Sequence, residues 1–468
     1  GGSRGGLCRG SEAGVTGSPM MALRSAARFG VGALARGGAG APPAVARAVA
    51  HCRAVSVTAG AQTYLDLEDK YGAKNYAPLP VVLKRGEGAF VYDVDDKRYY
   101  DFLSAYSAVN QGHCHPRLVK AMQEQCATLT LTSRAFYNNR LGPFEKFVTE
   151  LLGFDRVLPM NSGVEACETA VKLARRWAYD VKGVAENQAH VIFAEENFWG
   201  RTLAAISAST DPDSYKGYGP YMPNFHTVPY NDPEALEAKI AELGPDKVAA
   251  FMVEPIQGEA GVVVPDDGYL TKCKEICAAN RALLICDEVQ TGLARTGDLL
   301  AVHHEGVKPD ILVLGKALSG GMMPVSAVLA SHEVMLTIKP GEHGSTYGGN
   351  PLACAVATEA LQILVDEDLA ARAKALGKIF REELRTLVDG EYVKVVRGRG
   401  LLNAVVVARD APRNATWVCH TLAERGLLAK PTHGNIIRFA PPLVLSEAEL
   451  RDCVGIIKDV LVEGKAGK

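Results

Sequence analysis

Four short apolar runs, separated by helix-like segments, set the strongest limit on what this chain can fold into. They lie at residues 189–194, 247–256, 282–289 and 311–316. Near-continuous runs of β-type residues suit strands that are covered on both faces. The segments 164–180 and 268–281 between them have helical spacing. This alternation predicts an α/β domain with a mostly parallel central sheet flanked by helices, whose ligands gather beyond the carboxyl ends of the strands.

The part of the chain after this region has a different pattern. Helical stretches at 358–387 and 446–462 are mixed with strand-like runs at 400–408 and 436–444. This mixture predicts a smaller α+β domain over residues 358–468. We assign residues 109–357 to the large domain and residues 58–108 to an N-terminal segment.

Residues 1–57 differ in kind from the rest. Between Glu12 and Asp66 there is no acidic residue, whereas Ala, Gly, Ser and Val surround five arginines: Arg24, Arg28, Arg36, Arg47 and Arg53. This composition is typical of a mitochondrial transit peptide and predicts a protein of the mitochondrial matrix; a generic disordered tail is the alternative. Because Met20 and Met21 stand just before the arginines, we expect residues 1–19 to be upstream sequence that is not normally translated.

Composition excludes several function classes. The 468 residues carry a net charge of −2, which points to neither nucleic acid nor a membrane surface as a partner. The apolar runs are shorter than the roughly 18 residues that indicate a membrane span. The eleven cysteines lack paired short spacings, which favours a reducing compartment. The adjacent residues 113–115 (His-Cys-His) cannot easily converge on one ion, so we expect no metal site.

Two polar residues end predicted strands. Lys316 closes the run ILVLGK, although lysine is among the residues least often fully buried. Asp287 follows the run ALLIC directly, and Gln290 comes three residues later. Taken alone, Asp287 would be a turn or helix cap, and Lys316 would carry its charge out to solvent.

Two further features are expected at the same sheet edge. The turn NSGVEA at 161–166 opens a predicted helix, where the N–H groups of Gly163 and Val164 can bind a phosphate. The stretch ENFWGRT at 196–202 places the aromatic ring of Phe198 near Arg201. An amine, a carboxylate, an N–H cradle and a flat ring together suit pyridoxal phosphate, whose aldehyde binds lysine and whose ring nitrogen needs an anionic partner.

Long motifs then identify a family. They include YGAKNYAPLPVVL, FLSAYSAVNQGHCHP, MVEPIQGEAGVVVP, DEVQTGLARTG, LGKALSGG and KPGEHGSTYGGNP. From about Tyr71 to Leu461 the chain resembles the class III pyridoxal-phosphate aminotransferases, and most of all those members that use ornithine. The resemblance implies a fold-type I dimer whose active sites are each completed by the neighbouring subunit. It also implies ping-pong transfer of the δ-amino group of L-ornithine to 2-oxoglutarate, giving glutamate 5-semialdehyde and glutamate.

The resemblance, carried over position by position, implies roles around the cofactor. Lys316 corresponds to the lysine that binds the cofactor covalently, and Asp287 to the partner of the ring nitrogen. Phe198 would stack on the ring, and Gln290 would approach the ring hydroxyl. The implied phosphate contacts are Gly163, Val164, and Ser345 and Thr346 of the partner subunit.

The resemblance also implies how the substrates are held. Arg438 would bind the carboxylate next to the reacting carbon of 2-oxoglutarate or glutamate, and Arg201 the far carboxylate. Tyr76 and Tyr106 correspond to the ornithine-recognition tyrosines. Because ornithine reacts through its distal amine, Arg438 would then lack a carboxylate partner, which is costly for a buried charge. In the family, the glutamate at the position of Glu259 closes onto this arginine and releases it for the oxo acid.

Three alternatives stay open. Another class III enzyme could act on acetylornithine or 4-aminobutyrate, against which Tyr76 and Tyr106 speak. A catalytically silent cofactor-binding protein is less compatible with intact Lys316, Asp287 and both arginines. A nucleotide-binding dehydrogenase would need a G-x-G-x-x-G turn after its first strand, which this chain lacks. Cys167 and Cys286 stand where relatives often carry other small residues, and neither is expected to matter to the mechanism.

Overall fold

The computed structural model describes residues 57–411 and 413–467. The strands in this part of the chain form three sheets. The strands are β1 (Leu83–Glu87), β2 (Phe90–Asp93), β3 (Arg98–Asp101), β4 (Arg156–Met160), β5 (His190–Ala194), β6 (Phe225–Val228), β7 (Val248–Val253), β8 (Leu283–Asp287), β9 (Ile311–Leu314), β10 (Ser326–Ala330), β11 (Val393–Arg399), β12 (Leu402–Val407), β13 (Leu427–Leu428), β14 (Lys430–Thr432) and β15 (Ile436–Phe439).

The described helices surround these sheets. They are α1 (Ala59–Tyr71), α2 (Ser104–Ser107), α3 (Pro116–Cys126), α4 (Leu141–Leu152), α5 (Gly163–Trp177), α6 (Leu203–Ser207), α7 (Pro212–Tyr215), α8 (Pro233–Leu243), α9 (Tyr269–Ala279), α10 (His332–Met335), α11 (Pro351–Asp366), α12 (Leu369–Arg385), α13 (Ala415–Glu424) and α14 (Glu447–Ala466). Short 3₁₀ turns lie at Pro245–Lys247, Ala301–Glu305 and Lys316–Ser319, and a π-helical turn lies at Ala178–Lys182.

The central sheet has seven strands in the order β4-β10-β9-β8-β7-β5-β6. The strands from β9 to β6 are mutually parallel, whereas β10 is antiparallel to both β9 and β4. The carboxyl ends of β5, β7, β8 and β9 therefore meet at one edge. The predicted mostly parallel α/β sheet is confirmed, and this edge is where ligands of such sheets bind.

Both faces of this sheet are covered, as the apolar runs predict. Every residue of β7 and β8 is buried. Along β7, Ala250 and Met252 pack into a core with α5, whereas Phe251 and Val253 pack into the core on the opposite face. Side chains that alternate between two cores are the reason for a continuous apolar run rather than an alternating one.

The element boundaries differ from the predicted ones in informative places. The predicted run 247–256 leaves the sheet after Val253, so that its last three residues form a turn beside the sheet edge. The predicted helical stretch 358–387 is two helices, α11 and α12, which begin earlier and break where Asp368 has φ of 45°. The short strands β4, β6 and β10 were not predicted.

Two smaller sheets lie outside the central one. The sheet β11-β12-β15-β14 belongs to the C-terminal part, where α12, α13 and α14 pack together. The sheet β1-β2-β3-β13 joins the N-terminal segment to the C-terminal part, because Leu427 and Leu428 of β13 pair with β3. The predicted domain boundaries stay a prediction, and the predicted transit peptide lies outside the described residues, apart from residue 57.

Neither a membrane-spanning helix nor a metal-binding cluster is found among the described residues. No helix in that part of the chain combines the length and the apolar character needed to cross a membrane. Over 57–411 and 413–467, no group of three or more His, Cys, Asp or Glu side chains is arranged to hold a metal ion.

Candidate active site

The carboxyl edge of the central sheet brings together residues that are far apart in sequence. Asp287 is the last residue of β8, and Lys316 follows β9 after a single glycine. Glu254 directly follows β7, and Phe198 lies in the loop after β5. Since β9, β8, β7 and β5 are neighbours in this order, their ends form one continuous rim.

Two adjoining cavities open at this rim. The smaller, of about 230 Å³, is lined by six residues predicted for the cofactor: Gly163, Val164, Phe198, Asp287, Gln290 and Lys316. The larger, of about 830 Å³, contains Tyr76, Tyr106 and Arg201 in its lining. Phe198, Glu259, Gln290 and Lys316 border both cavities. A small seat thus opens into a larger chamber, with Lys316 at the junction.

The start of α5 forms one wall of the smaller cavity. Ser162 caps this helix through a capping box, in which its hydroxyl accepts the Glu165 N–H and the Glu165 carboxylate accepts the Ser162 N–H. The N–H groups of Gly163 and Val164 are first-turn groups that have no intrahelical acceptor. Opposite them, a Cβ at Gly200 would fall 2.3 Å from the Val164 side chain, so only glycine allows this close approach. The result is a narrow site at a helix N-terminus that suits an anion.

Lys316 is held in a conformation that L-residues rarely adopt. Its φ is 43°, in the left-handed region, where non-glycine residues are strained and are found at functional sites. Burial lowers the pKa of the Lys316 amine, although the nearby carboxylates of Asp287 and Glu254 oppose this shift. The neutral amine, which is the nucleophilic form, is therefore favoured compared with a lysine in water.

Asp287 is 5% exposed and accepts two hydrogen bonds. Its Oδ1 accepts the Val289 N–H at 2.9 Å, and its Oδ2 accepts the thiol of Cys167 at 3.4 Å. Burial raises the pKa of Asp287, against these bonds and the charge of Lys316. The Cys167 contact could not be predicted from sequence spacing, because it joins α5 to β8 across 120 positions. An acidic partner with unused lone pairs remains at the cavity wall.

Glu254 is a site residue that the sequence analysis missed. It lines the smaller cavity and accepts the Phe198 N–H at 3.0 Å and the Gly258 N–H at 3.3 Å. Burial and the neighbouring Asp287 carboxylate raise the pKa of Glu254 to about 8, against both N–H bonds. A signal was present, since Glu254 follows its apolar run as directly as Asp287 follows the adjacent one.

The larger cavity carries the predicted substrate residues. Tyr76 is 76% exposed, whereas Tyr106 is half-buried in the single turn α2, whose four residues all have positive φ. The Arg201 guanidinium lies 5.3 Å from the Phe198 ring centroid, bonds Ser214 and remains largely exposed. Aromatic rings and a largely exposed arginine thus line a chamber beside Lys316.

Glu259 and Arg438 form an ion pair at this chamber. Arg438 Nη1 donates to Glu259 Oε2 at 2.8 Å and to the Gly258 carbonyl at 3.3 Å. The Arg438 guanidinium also lies 4.9 Å from the Tyr106 ring centroid, and its Nε is buried with no partner. Arg438 belongs to β15 of the C-terminal sheet, so this contact spans two parts of the fold. Because Arg438 has an unused donor, it can bind the carboxylate of a substrate in place of Glu259.

Ser345 and Thr346 are the two predicted cofactor residues that lie outside the lining of the smaller cavity. Ser345 accepts the side-chain amide of Asn161 at 2.9 Å, and Thr346 is exposed. Neither residue lines either of the two cavities of its own chain. Their predicted role at the site of a neighbouring subunit stays a prediction.

The chemistry of these groups fits pyridoxal phosphate. The phosphate matches the free N–H groups at the start of α5, and the ring nitrogen matches the buried carboxylate of Asp287, which a neighbouring cation would keep charged. The aldehyde matches the Lys316 amine, whose pKa burial lowers. The seat that holds these three features shares Phe198, Glu259, Gln290 and Lys316 with the chamber that contains the candidate substrate residues.

The fold and the site define a pyridoxal-phosphate aminotransferase of fold type I. Residues 71–461 match the family Aminotransferase class-III, and the chain belongs to this family.

Particular relatives narrow the comparison. The chain is 61% identical, over 401 residues, to the mitochondrial ornithine aminotransferase of Drosophila ananassae, covering 86% of this chain and 91% of that one. A structure of ornithine aminotransferase from Toxoplasma gondii, with pyridoxal phosphate at partial occupancy in its active site, is 48% identical with a TM-score of 0.85, covering 89% of this chain and 96% of that one. A crystal structure of acetylornithine aminotransferase from Elizabethkingia anophelis is 56% identical with a TM-score of 0.79, covering 87% and 100%.

Proposed function

We propose that this chain is an ornithine aminotransferase that uses pyridoxal phosphate. It transfers the δ-amino group of L-ornithine to 2-oxoglutarate and releases glutamate 5-semialdehyde and glutamate in a ping-pong sequence. Family membership and the 61% identity to a fly ornithine aminotransferase support this assignment. The observation that carries it is the Glu259–Arg438 ion pair at the mouth of the cofactor seat.

The cofactor contributes an aldehyde that takes up the amino group and a ring that withdraws electrons from the reacting carbon. In the proposed arrangement Lys316 binds it covalently and Asp287 keeps its ring nitrogen charged. Phe198 covers the ring face and Gln290 contacts the ring hydroxyl. The phosphate is held by the N–H groups of Gly163 and Val164.

Lys316 also acts on the substrate. Its Nζ takes a proton from the carbon that carries the reacting amine and returns a proton during the reverse half-reaction. Burial lowers the pKa of this amine, which favours the neutral, proton-accepting form compared with a lysine in water. The rim position of Lys316, between seat and chamber, puts it within reach of both partners.

The Glu259–Arg438 pair lets one chamber accept two unlike substrates. When ornithine presents its distal amine, no carboxylate adjoins the reacting carbon, and Glu259 neutralises Arg438. An unpaired buried arginine would cost several kcal/mol, on the order of 3–5. When 2-oxoglutarate binds, its 1-carboxylate displaces Glu259 from Arg438, and Arg201 binds the far carboxylate. Tyr76 and Tyr106 contact ornithine.

The active unit is proposed to be a homodimer in the mitochondrial matrix. Ser345 and Thr346 of the partner subunit complete the phosphate site, and neither residue lines the two cavities of its own chain. The Drosophila ananassae relative is named a mitochondrial ornithine aminotransferase, which supports this location. The transit-like composition of residues 1–57 supports it as well.

Acetylornithine is the second candidate amino donor, because of the 56% identity to an acetylornithine aminotransferase. The two donors differ at the end remote from the reacting amine, where ornithine has a free ammonium and acetylornithine a neutral amide. Comparing kcat/KM for both donors decides between them. Ornithine is expected to be preferred, with 4-aminobutyrate as a further comparison.

The test of the proposal is incubation with ornithine and 2-oxoglutarate. Glutamate and the cyclising semialdehyde should appear together in equal amounts. Lys316→Ala should lower kcat by several orders of magnitude, because it removes both the covalent attachment and the proton carrier. The proposal would be contradicted if the parent formed glutamate from 2-oxoglutarate with acetylornithine but not with ornithine as amino donor. Undiminished turnover by Lys316→Ala would contradict it as well.

A further inference from the structure

Glu254 links the two walls of the cofactor seat. It is 8% exposed, and each of its oxygens accepts a different backbone N–H. Oε1 accepts from Phe198, on the wall proposed to cover the ring, at 3.0 Å. Oε2 accepts from Gly258, which immediately precedes Glu259, at 3.3 Å. One side chain therefore spans from the ring wall to the turn that carries the ion pair.

The turn at Gly258 is fixed from three sides. Its N–H bonds Glu254, and its carbonyl accepts from Arg438 Nη1, the same atom that donates to Glu259. On the third side, a Cβ at Gly258 would fall 1.6 Å from Oε1 of Gln290, so the Gln290 side chain packs directly against the backbone of this turn. The backbone from which the Glu259 side chain rotates is thus set by its contacts with Glu254, Gln290 and Arg438.

We propose that Glu254 is a positioning residue that holds the Gly258–Glu259 turn in the place from which Glu259 closes onto Arg438. This inference rests on the proposed function and adds to it what controls the change between the two half-reactions. With the turn held, Glu259 closes by rotation of its side chain alone. Without that hold, closure must also order the backbone, which costs conformational entropy. Loss of the Glu254 contact therefore shifts Arg438 toward the open form that dicarboxylates bind.

Glu254→Gln removes this contact with little change in volume. The amide oxygen of glutamine can keep the shorter bond to Phe198, which leaves its NH₂ group facing the N–H of Gly258. Above pH 8, where Glu254 of the parent is ionised and both of its oxygens accept, two donors then face each other in the variant, so the turn loses its acceptor. The wall at Phe198 keeps its support, and the change is concentrated on the turn.

The matched control is Glu288→Gln. Glu288 is also buried next to Asp287, and burial raises its pKa to about 7. Its oxygens bind the Thr291 hydroxyl and the Val302 N–H, away from the Gly258–Glu259 turn. The same substitution in the same kind of environment therefore tests whether an effect belongs to Glu254 or to any buried glutamate near the sheet edge.

The first readout is the binding of glutarate, an unreactive dicarboxylate, to the holoenzyme by titration calorimetry. Glu254→Gln should lower the Kd for glutarate by about three- to tenfold, because Arg438 is more often open. Single-turnover rates should move apart: the half-reaction with ornithine slows by a similar factor, and the half-reaction with glutamate does not. Glu288→Gln should leave the ratio of the two rates unchanged.

A double-mutant cycle with Glu259→Ala gives the decisive comparison. If Glu254 acts through Glu259, Glu254→Gln should have no effect on glutarate binding once Glu259 is removed. An equal effect in both backgrounds, or equal slowing of both half-reactions, would overturn the inference. Glu254→Asp, too short to reach both N–H groups, carries the same test if Glu254→Gln does not load cofactor. Failure of the parent to use ornithine would instead contradict the proposed function.

Discussion

Buried carboxyl groups beside one lysine dominate the chemistry of the site at the scale of single residues. Burial raises the pKa of Glu254 to about 8 and that of Glu288 to about 7, and it also raises the pKa of Asp287. The same burial lowers the pKa of Lys316. Each shift favours the neutral form, because burial removes the water that stabilises the charged form. A bound cation next to Asp287 would restore the charge of that carboxylate.

The raised pKa of Glu254 makes a stability prediction for the apoprotein. An unfolded glutamate titrates near pH 4.3, so between about pH 4.3 and pH 8 folding increasingly opposes its ionisation. The contribution of Glu254 to the stability of the parent protein is therefore highest at low pH and falls as the pH rises toward 8. Glu254→Gln removes this penalty. Its melting temperature should rise relative to that of the parent between pH 5 and pH 8, by the equivalent of a few kcal/mol. A difference that stays constant over this range would contradict the assignment.

Site residues that directly follow a buried strand could be predicted from the sequence. Lys316 and Asp287 end apolar runs, and parallel strands bring such ends together, so their meeting followed from the pattern alone. Glu254 ends the neighbouring run in the same way and was overlooked because its role depends on where its two oxygens point. The bond between Cys167 and Asp287 depends on how α5 packs on β8, which spacing does not encode.

Elements with strong periodic patterns were predictable, and short or irregular ones were not. β5, β7, β8 and β9 are buried runs that end within three residues of their predicted ends. β4, β6 and β10 have four or five residues each and no distinctive pattern. The break between α11 and α12 occurs at Asp368, whose φ of 45° lies in the left-handed region that sequence rules assign mainly to glycine.

The turn α2 shows the same limit at a functional position. Residues Ser104 to Ser107 all have positive φ, with values between 47° and 72°. Left-handed backbone costs about 1–2 kcal/mol for each non-glycine residue, so sequence rules predict no such turn where glycine is absent. The turn directs Tyr106 toward Arg438. Strain of this kind is retained where the surrounding structure fixes it and is common at binding sites.

At the scale of the whole molecule, the proposed sharing of active sites predicts complementation. Lys316→Ala damages the site of its own subunit, whereas Thr346→Asp would place a negative charge beside the phosphate in the site of the neighbour. The homodimer of Lys316→Ala and the homodimer of Thr346→Asp should each be inactive, because both of their sites carry a defect. Random mixing of the two by unfolding and refolding gives hybrids with one intact site, so activity should recover to about a quarter of the parent value.

The control for this experiment is a mixture of Lys316→Ala with Asp287→Ala, which damage the same site of the same subunit. In this pair the hybrids have one defect in each site, so no activity should return. Recovery in this control, or none in the Lys316→Ala and Thr346→Asp mixture, would argue against shared sites.

The measurement that tests the central claim most directly is the location of the cofactor on the chain. The purified protein is saturated with pyridoxal phosphate, reduced with borohydride and digested, and the modified peptide is sequenced by mass spectrometry. The account predicts a single phosphopyridoxyl group on Lys316, absent from Lys316→Ala. A label on another lysine, or no label on the saturated parent, would contradict it.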